Sequence, residues 1–174
     1  MTEIKLNIPY HSQFLEVEDY FWNIRSCGGA CLKMCLDYYN KNSPSIVEIM
    51  NNAKQNGGYD MKNGFVHDWA VNYIKSFDLN SYRKEGLEDT TLIKESLEKG
   101  NPIIVSVTKR TLEQNKFHLI LIVGCVVGVD GQIVEVIYHE PERTNKEDGA
   151  FRRCDTQTFS QSWRKKAIFV EGLI

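Results

Sequence analysis

Long apolar runs are lacking in this 174-residue sequence. The longest, from Leu119 to Val129, is too short to cross a bilayer, which takes about 20 residues. The N-terminus lacks the basic-then-apolar order of a secretory signal. An excess of charge of one sign is also lacking, since the formal net charge is −2, and this gives no reason to expect a polyanionic partner. The sequence therefore favours a cytoplasmic protein with no membrane and no nucleic-acid partner.

Internal repeats and low-complexity segments are absent too, which argues against a repeat array or linker-joined domains. With 42% hydrophobic and 25% charged residues, the composition is that of an ordinary soluble globular protein. The chain is long enough to bury a core without disulfides or metals. We therefore expect one domain over residues 1–174, with a monomer as the default oligomeric state.

The predicted elements come in an uneven order, with helices first and strands later. Helices are predicted at 28–39, 44–55, 66–76, 89–99 and 156–163, and strands at 4–8, 79–83, 102–108, 117–127, 132–138 and 167–170. The charged segment 142–155 is predicted to be an exposed loop. Late strands that pair through short turns, with helices covering one side, predict an α+β fold with an antiparallel sheet.

The five cysteines are odd in number, which favours free thiols over a disulfide framework. Cys27, Cys31 and Cys35 follow one another at intervals of four residues. Along one helical stripe they cannot surround a metal ion tetrahedrally, and no second ligand pair is visible. We interpret Cys31 and Cys35 as packing groups, because unpaired cysteine is among the most buried residue types.

Cys27 differs because it directly precedes Gly28-Gly29 and the predicted helix. At a helix N-terminus, unpaired N–H groups and the macrodipole favour a thiolate. The two glycines would let a substrate or another backbone come close and leave N–H groups accessible. The pattern suggests a nucleophile, although an incidental buried cysteine fits it as well.

A nucleophilic cysteine needs a base, and the chain has four histidines. His118 is the best candidate, because it lies where a polar segment meets the most apolar predicted strand. His11, His67 and His139 lie in a predicted loop, near a helix start and at a strand end. A structural role remains the alternative for each of them, including His118.

Five segments together resemble the C39-like cysteine peptidase family of the papain-like superfamily. They are IPYHSQ (8–13), SCGGACLKM (26–34), GNPIIVSV (100–107), FHLILIVG (117–124) and YHEP (138–141). The resemblance covers residues 8–163. It implies a papain-like fold in which a helical N-terminal half, with the cysteine at a helix N-terminus, packs on a C-terminal antiparallel sheet.

The resemblance also implies roles for four residues. Cys27 would be the nucleophile, His118 the base, and Gln13 a donor to the oxyanion. Glu140 stands before Pro141 where the family is expected to carry aspartate, so a longer side chain would have to hold the histidine. No metal and no organic cofactor is implied.

Three functions share these residues. The first is a cysteine peptidase or amide hydrolase with a Cys-His-Glu triad, whose substrate is a peptide or another amide. An acyltransferase would use the same dyad, because hydrolysis and acyl transfer share the acyl-enzyme. The third is a non-catalytic papain-like module that binds a peptide or protein in its groove.

The turn between two predicted strands decides whether Glu140 can reach His118. A two-residue turn at Asp130-Gly131 would put Glu140 on the opposite face of the sheet. A three-residue loop with Gly131 in the left-handed region would place Glu140 opposite Ile120, as a diagonal neighbour of His118. We therefore predict the three-residue loop, or a compensating bulge, because one residue of register decides the outcome.

Overall fold

The computed structural model describes residues 1–111 and 114–172, without the side chains of 109–111 and 114–116. Its helices are α1 (Gln13–Glu16), α2 (Tyr20–Asn23), α3 (Cys27–Tyr38), α4 (Ile46–Gln55), α5 (His67–Lys75), α6 (Thr91–Glu98), α7 (Lys146–Gly149) and α8 (Thr156–Ser162). Its strands are β1 (Thr2–Lys5), β2 (Tyr59–Asp60), β3 (Gly64–Phe65), β4 (Leu79–Glu85), β5 (Ile103–Thr111), β6 (Gln114–Val127), β7 (Ile133–His139), β8 (Arg152–Asp155) and β9 (Trp163–Gly172).

Seven strands form one sheet in the order β4-β9-β5-β6-β7-β8, with β1 also paired to β6. All of these pairings are antiparallel. Strands β2 and β3 form a separate hairpin. The α+β class with an antiparallel C-terminal sheet is thus confirmed.

Helices cover both faces of the sheet. Alternate residues of β6 divide between two cores: Leu119 and Leu121 pack with α3, α4 and α5, whereas Ile120 and Ile122 pack with α6 and α8. This alternation follows from the two-residue period of a strand. The expectation that helices cover one side is therefore wrong, because α6 and α8 shield the second apolar face.

The segment 142–155, predicted as an exposed loop, contains α7 and β8. Strand β8 pairs with β7 from Glu135↔Asp155 to Tyr138↔Arg152. Three of its four residues are charged, which resembles a loop sequence but suits an edge strand, where charge blocks further pairing. The loop prediction is wrong for this part of the chain.

The predicted three-residue loop between β6 and β7 is confirmed. The Gly128 N–H donates to the carbonyl oxygen of Gln132 at 2.8 Å, and Gly131 has φ +80°. Two bulges follow, with Val134 as the extra residue on β7 and Val123 as the extra residue on β6. They cancel, so Leu121 pairs with His139 in the register that the loop sets.

All five cysteines are free thiols, as predicted. Cys31, Cys35 and Cys125 are buried, whereas Cys27 and Cys154 are partly exposed. Within residues 1–111 and 114–172, no helix is long and apolar enough to traverse a bilayer.

Gly124 allows β1 to pair tightly with β6. A Cβ at this position would meet the Ile4 carbonyl oxygen and lie 3.1 Å from the Lys5 Cα. We predict that Gly124→Ala lowers the free energy of unfolding by about 1–3 kcal/mol, because two backbones must separate. Urea denaturation followed by tryptophan fluorescence measures the change.

Val134→Ala is the control, because this neighbouring side chain is 41% exposed and its truncation should change the free energy by at most about 0.5 kcal/mol. Equal unfolding midpoints for Gly124→Ala and the unsubstituted protein would contradict the prediction.

Candidate active site

Cys27 is the first residue of α3, a twelve-residue helix. The N-cap residue Ser26 makes no side-chain hydrogen bond to the helix, so its hydroxyl does not occupy the first N–H groups. These groups have no acceptor within the helix. The N-terminus of α3 thus offers donors and a positive dipole end to a negative sulfur or oxygen.

Helix α3 is held against β6 by its own buried cysteines. Cys31 and Cys35 are fully buried, which confirms them as packing groups. The Cys31 thiol donates to the carbonyl oxygen of Leu119 at 3.7 Å. Because Leu119 follows His118, this contact brings the first turn of α3 next to the histidine, and the Cys27 side chain forms a hydrogen bond with the His118 ring.

The His118 imidazole is only 4% exposed and has a carboxylate on its other side. Its Nε2 donates to Glu140 Oε1 at 2.5 Å. Because Nε2 is occupied in this way, Nδ1 is the ring nitrogen left to face the sulfur. The predicted diagonal contact between β6 and the end of β7 is present, and Glu140 reaches the histidine.

Glu140 is held by hydrogen bonds to both its backbone and its carboxylate. The Tyr10 hydroxyl donates to the Glu140 carbonyl at 2.7 Å, and the Glu140 N–H donates to the Gly149 carbonyl at 2.9 Å. The Glu142 N–H donates to Glu140 Oε1 at 3.0 Å. Both ends of the residue are therefore fixed, and the longer side chain has a defined position.

The proximity of Cys27 and His118 reverses the effect of burial on both groups. Burial alone would raise the pKa of the Cys27 thiol, but the His118 charge, its hydrogen bond and the Leu119 N–H lower it. Burial alone would lower the pKa of His118, but Cys27 and Glu140 raise it to about 9. This arrangement favours a thiolate beside an imidazolium.

Glu142 is a residue of this site that the sequence interpretation missed. Its Oε1 lies 3.8 Å from His118 Nδ1, and its side chain is 12% exposed. Its neighbours in sequence are charged, and this composition predicts an exposed loop rather than a position in a site. A second acid two residues after Glu140 was the available signal.

Gln13 is completely buried at the start of α1, and it is not among the described residues that line the cleft beside Cys27 and His118. Its Nε2 donates to the carbonyl oxygen of Asn23 at 2.7 Å, and its backbone N–H donates to the Pro141 carbonyl. Within the described part of the chain, Gln13 Oε1 has no hydrogen-bond partner. One hydrogen of the amide is thus committed to Asn23, and the second is left for another acceptor.

An open cleft of about 470 Å³ leads to Cys27 and His118. The β2–β3 hairpin forms part of its wall, and the Phe65 ring lies 2.7 Å from where a Cβ on Gly28 would be. A Cβ on Gly29 would lie 2.9 Å from Met50 Sδ. The two glycines were expected to give a substrate access, but in the structure they make room for Phe65 and α4.

The other three histidines have different surroundings. His11 pairs with Glu16 and Asp37 at 2.8 and 2.7 Å. His139 is fully buried, bridges the backbones of Ile8 and Phe151, and has its pKa lowered to about 4 by burial. His67 lines the cleft. No group of three His, Cys, Asp or Glu residues among those described is arranged to hold a metal ion.

Comparison with known proteins adds to this geometry. The profile of the Peptidase_C39 like family matches residues 5–167. The chain belongs to the Peptidase_C39 like family. Its family and its papain-like fold are those of a cysteine peptidase. No match was found among curated proteins.

Solved structures of similar fold include two peptidase domains of transporters. The peptidase domain of Streptococcus ComA, a bi-functional ABC transporter of a quorum sensing pathway, has a TM-score of 0.62 and 23% identity, covering 86% of this chain and 93% of that chain. A double glycine motif protease from an AMS/PCAT transporter, in complex with the leader peptide, has a TM-score of 0.63 and 16% identity. The match covers 97% of this chain and 94% of that chain.

A third similar structure is UfSP from C. elegans, with a TM-score of 0.54 and 14% identity. The match covers 98% of this chain and 34% of that chain. At these identities the likeness of all three concerns the fold.

The lowered pKa of Cys27 predicts a distinctive pH profile for its alkylation by iodoacetamide. Cys27 should lose its proton below the usual thiol pKa of about 8.5, while His118 keeps its proton up to a pKa of about 9. The ion pair therefore exists between these two pKa values. In His118→Ala only the Leu119 N–H still opposes the effect of burial on the Cys27 pKa, so the midpoint should rise and the rate at pH 7 should fall at least about tenfold.

Mass spectrometry of the alkylated peptides measures each cysteine separately. Cys154 is the internal reference, because it is also partly exposed and burial raises its pKa to about 11. Identical pH profiles for Cys27 and Cys154 would show that the ion pair is absent.

Proposed function

We propose that this chain is a cysteine peptidase or amide hydrolase in which Cys27, His118 and Glu140 form a catalytic triad. The Cys27 thiolate attacks the carbonyl carbon of the scissile amide. His118 then gives its proton to the leaving amine, and afterwards it takes a proton from the water that hydrolyses the acyl-enzyme. Glu140 keeps the imidazole in position and stabilises its charged form.

The observation that carries this proposal is the continuous chain of contacts from sulfur to carboxylate. The Cys27 side chain is hydrogen-bonded to His118, and His118 is 2.5 Å from Glu140. The sulfur lies at a helix N-terminus and lines an open cleft. A nucleophile, a base and an orienting acid in this order are the parts that acyl transfer chemistry requires.

The oxyanion would be held by two donors, the Cys27 backbone N–H and the Gln13 side chain. The Cys27 N–H is among the groups at the start of α3 that have no helical acceptor. Gln13 would contribute the Nε2 hydrogen that is not bonded to Asn23. Donors of this kind are worth about 10²–10³ in kcat each.

A peptide suits the cleft as substrate, because large apolar side chains remain exposed on its wall. Ile24, Met61 and Phe117 are 45%, 67% and 60% exposed, and all three line the cleft. Exposed apolar groups beside a polar centre are typical of surfaces that bind a partner. The similar double glycine motif protease was solved in complex with a leader peptide.

Incubation with a proteome-derived peptide library in H₂¹⁸O tests this function. We expect new C-termini that carry ¹⁸O, since water receives the acyl group; products without ¹⁸O and joined to an amine would indicate an acyltransferase. Cys27→Ala should abolish product formation, and Gln13→Ala should lower kcat by about 10²–10³-fold. Equal products from Cys27→Ala and the unsubstituted chain would refute the role of Cys27, and peptides retained without cleavage would favour the binding module.

Glu140 can be tested by separating its charge from its length. Glu140→Gln keeps the length but removes the charge, and kcat should fall on the order of 10²-fold or more as the His118 pKa drops. Glu140→Asp keeps the charge but moves it away from His118 Nε2. We expect the His118 pKa to fall by about one unit and kcat to fall about tenfold, because one pKa unit corresponds to a factor of ten in the protonation equilibrium.

The pH profile of kcat reports the His118 pKa in each variant. Glu135→Gln is the control, since Glu135 lies on β7 and pairs with Arg153 outside the cleft. An unchanged profile in both Glu140 variants would remove Glu140 from the mechanism.

A further inference from the structure

The wall of the cleft carries more positive than negative side chains. Among the described residues that line it, Arg25, Lys62 and Arg164 are basic and Glu142 is acidic. The whole chain has the opposite balance, with 23 acidic and 21 basic residues. Since Glu142 faces the imidazole of His118 at 3.8 Å, the charge that remains for a substrate is positive.

Arg164 reaches the cleft because β9 bulges at this point. On β5, Ser106 alone stands opposite three residues of β9, 164–166. Lys165 has φ +59°, a backbone conformation that residues other than glycine rarely adopt. Bulges redirect side chains and are frequent beside active sites. This local distortion directs Arg164 toward the cleft.

The guanidinium of Arg164 is held in place by two contacts. Its Nη1 donates to Ser106 Oγ at 3.1 Å, and its Cζ lies 3.2 Å from the centre of the Phe117 ring. Phe117 directly precedes His118, so the guanidinium lies close to the catalytic centre. A guanidinium has five N–H donors, and stacking leaves its edge available for a planar carboxylate.

Glu85, the carboxylate whose charge acts on Arg164, is engaged by other cations. It pairs with Arg83 and Lys166 at 2.7 and 3.3 Å. Among the side chains that the structure describes, none forms an ion pair with Arg164. Burial also lowers the pKa of its guanidinium, so an incoming anion would compensate a partly desolvated charge.

His67, which also lines the cleft, lies in the field of these basic side chains. Its pKa is lowered by burial first, and then by Lys166, Arg83 and Arg164. The histidine is therefore neutral near pH 7 and adds no positive charge of its own beside Arg164.

We propose that Arg164, together with Ser106 and Phe117, forms a subsite that binds a carboxylate of the peptide substrate close to the scissile bond. This inference rests on the proposed function and specifies its substrate class: peptides with an acidic side chain or a free C-terminal carboxylate. Bidentate guanidinium–carboxylate pairing supplies both affinity and geometry. The apolar wall of the cleft would bind neighbouring side chains of the same peptide.

Labelling of Cys27 with a series of chloroacetyl compounds of increasing chain length tests the subsite. Chloroacetyl-glycine, chloroacetyl-β-alanine and chloroacetyl-4-aminobutyrate are each compared with the matching carboxamide, by mass spectrometry of the labelled peptide. One of these three compounds should have the chain length that lets its chloroacetyl group reach Cys27 while its carboxylate reaches Arg164. At that chain length, the compound with the carboxylate should label Cys27 about tenfold faster than its carboxamide. Arg164→Gln should remove this preference, and Arg164→Lys should keep part of it.

Arg153→Gln is the matched control, because Arg153 lies on β8, pairs with Glu3 and Glu135 and does not line the cleft. It should keep the full carboxylate preference. The same preference in Arg164→Gln as in the unsubstituted protein, at every length, would overturn the proposal.

A second measurement does not depend on the reactivity of Cys27. The Arg164 Nε–Hε signal, assigned by NMR from its loss in Arg164→Gln, is titrated with two isomers, N-acetylisoglutamine and N-acetylglutamine. N-acetylisoglutamine has a free side-chain carboxylate, so a saturable shift with it indicates that the subsite binds an acidic side chain. N-acetylglutamine has a free α-carboxylate, so a saturable shift with it indicates that the subsite binds a C-terminal carboxylate. No saturable shift with either overturns the subsite. An unreactive Cys27 combined with a saturable shift would refute the proposed peptidase chemistry and leave the subsite standing.

Discussion

The site depends on one imidazole that is shared between a sulfur and a carboxylate. His118 is nearly inaccessible to water, and a partly buried thiol and a buried imidazole would each be neutral if alone. The partners reverse this because each stabilises the charged form of the other, with Glu140 compensating the positive ring. The charge separation is thus a product of packing, and the fold has to hold three side chains from three elements in position.

Each of the three side chains has its own support. The Cys31–Leu119 contact fixes the first turn of α3 against β6. The end of β7 is fixed by hydrogen bonds from Tyr10 and to Gly149. The glutamate is one methylene longer than aspartate, and the Glu142 N–H holds its Oε1 near the ring. A longer acid can therefore occupy this position because the backbone that follows it supplies a donor.

Much of this arrangement could be predicted from the sequence, because it follows from local signals. The position of Cys27 before a helix, the period-two strand after His118 and the turn at Gly131 are each written in a few neighbouring residues. The turn residues fit either a two-residue or a three-residue loop, and the register was predicted from the requirement that Glu140 share a face with His118. Glu142 and Arg164 were missed, since their positions depend on pairing between distant strands.

Two further errors have the same origin. Strand β8 has the composition of a loop, and its pairing with β7 is visible only once the sheet is assembled. The glycines after Cys27 are small for the sake of Phe65 and Met50, which come from later segments. Local sequence shows that space is needed at these positions, but it does not show which group fills it.

The opposing bulges of β6 and β7 link the lengths of these two strands. Val123 and Val134 each add one residue, and their effects on register cancel before the strands reach His118 and Glu140. Loss of one of them alone would turn the acid away from the ring, whereas loss of both would not. Insertions and deletions in this hairpin can therefore be accepted during evolution only as compensated pairs.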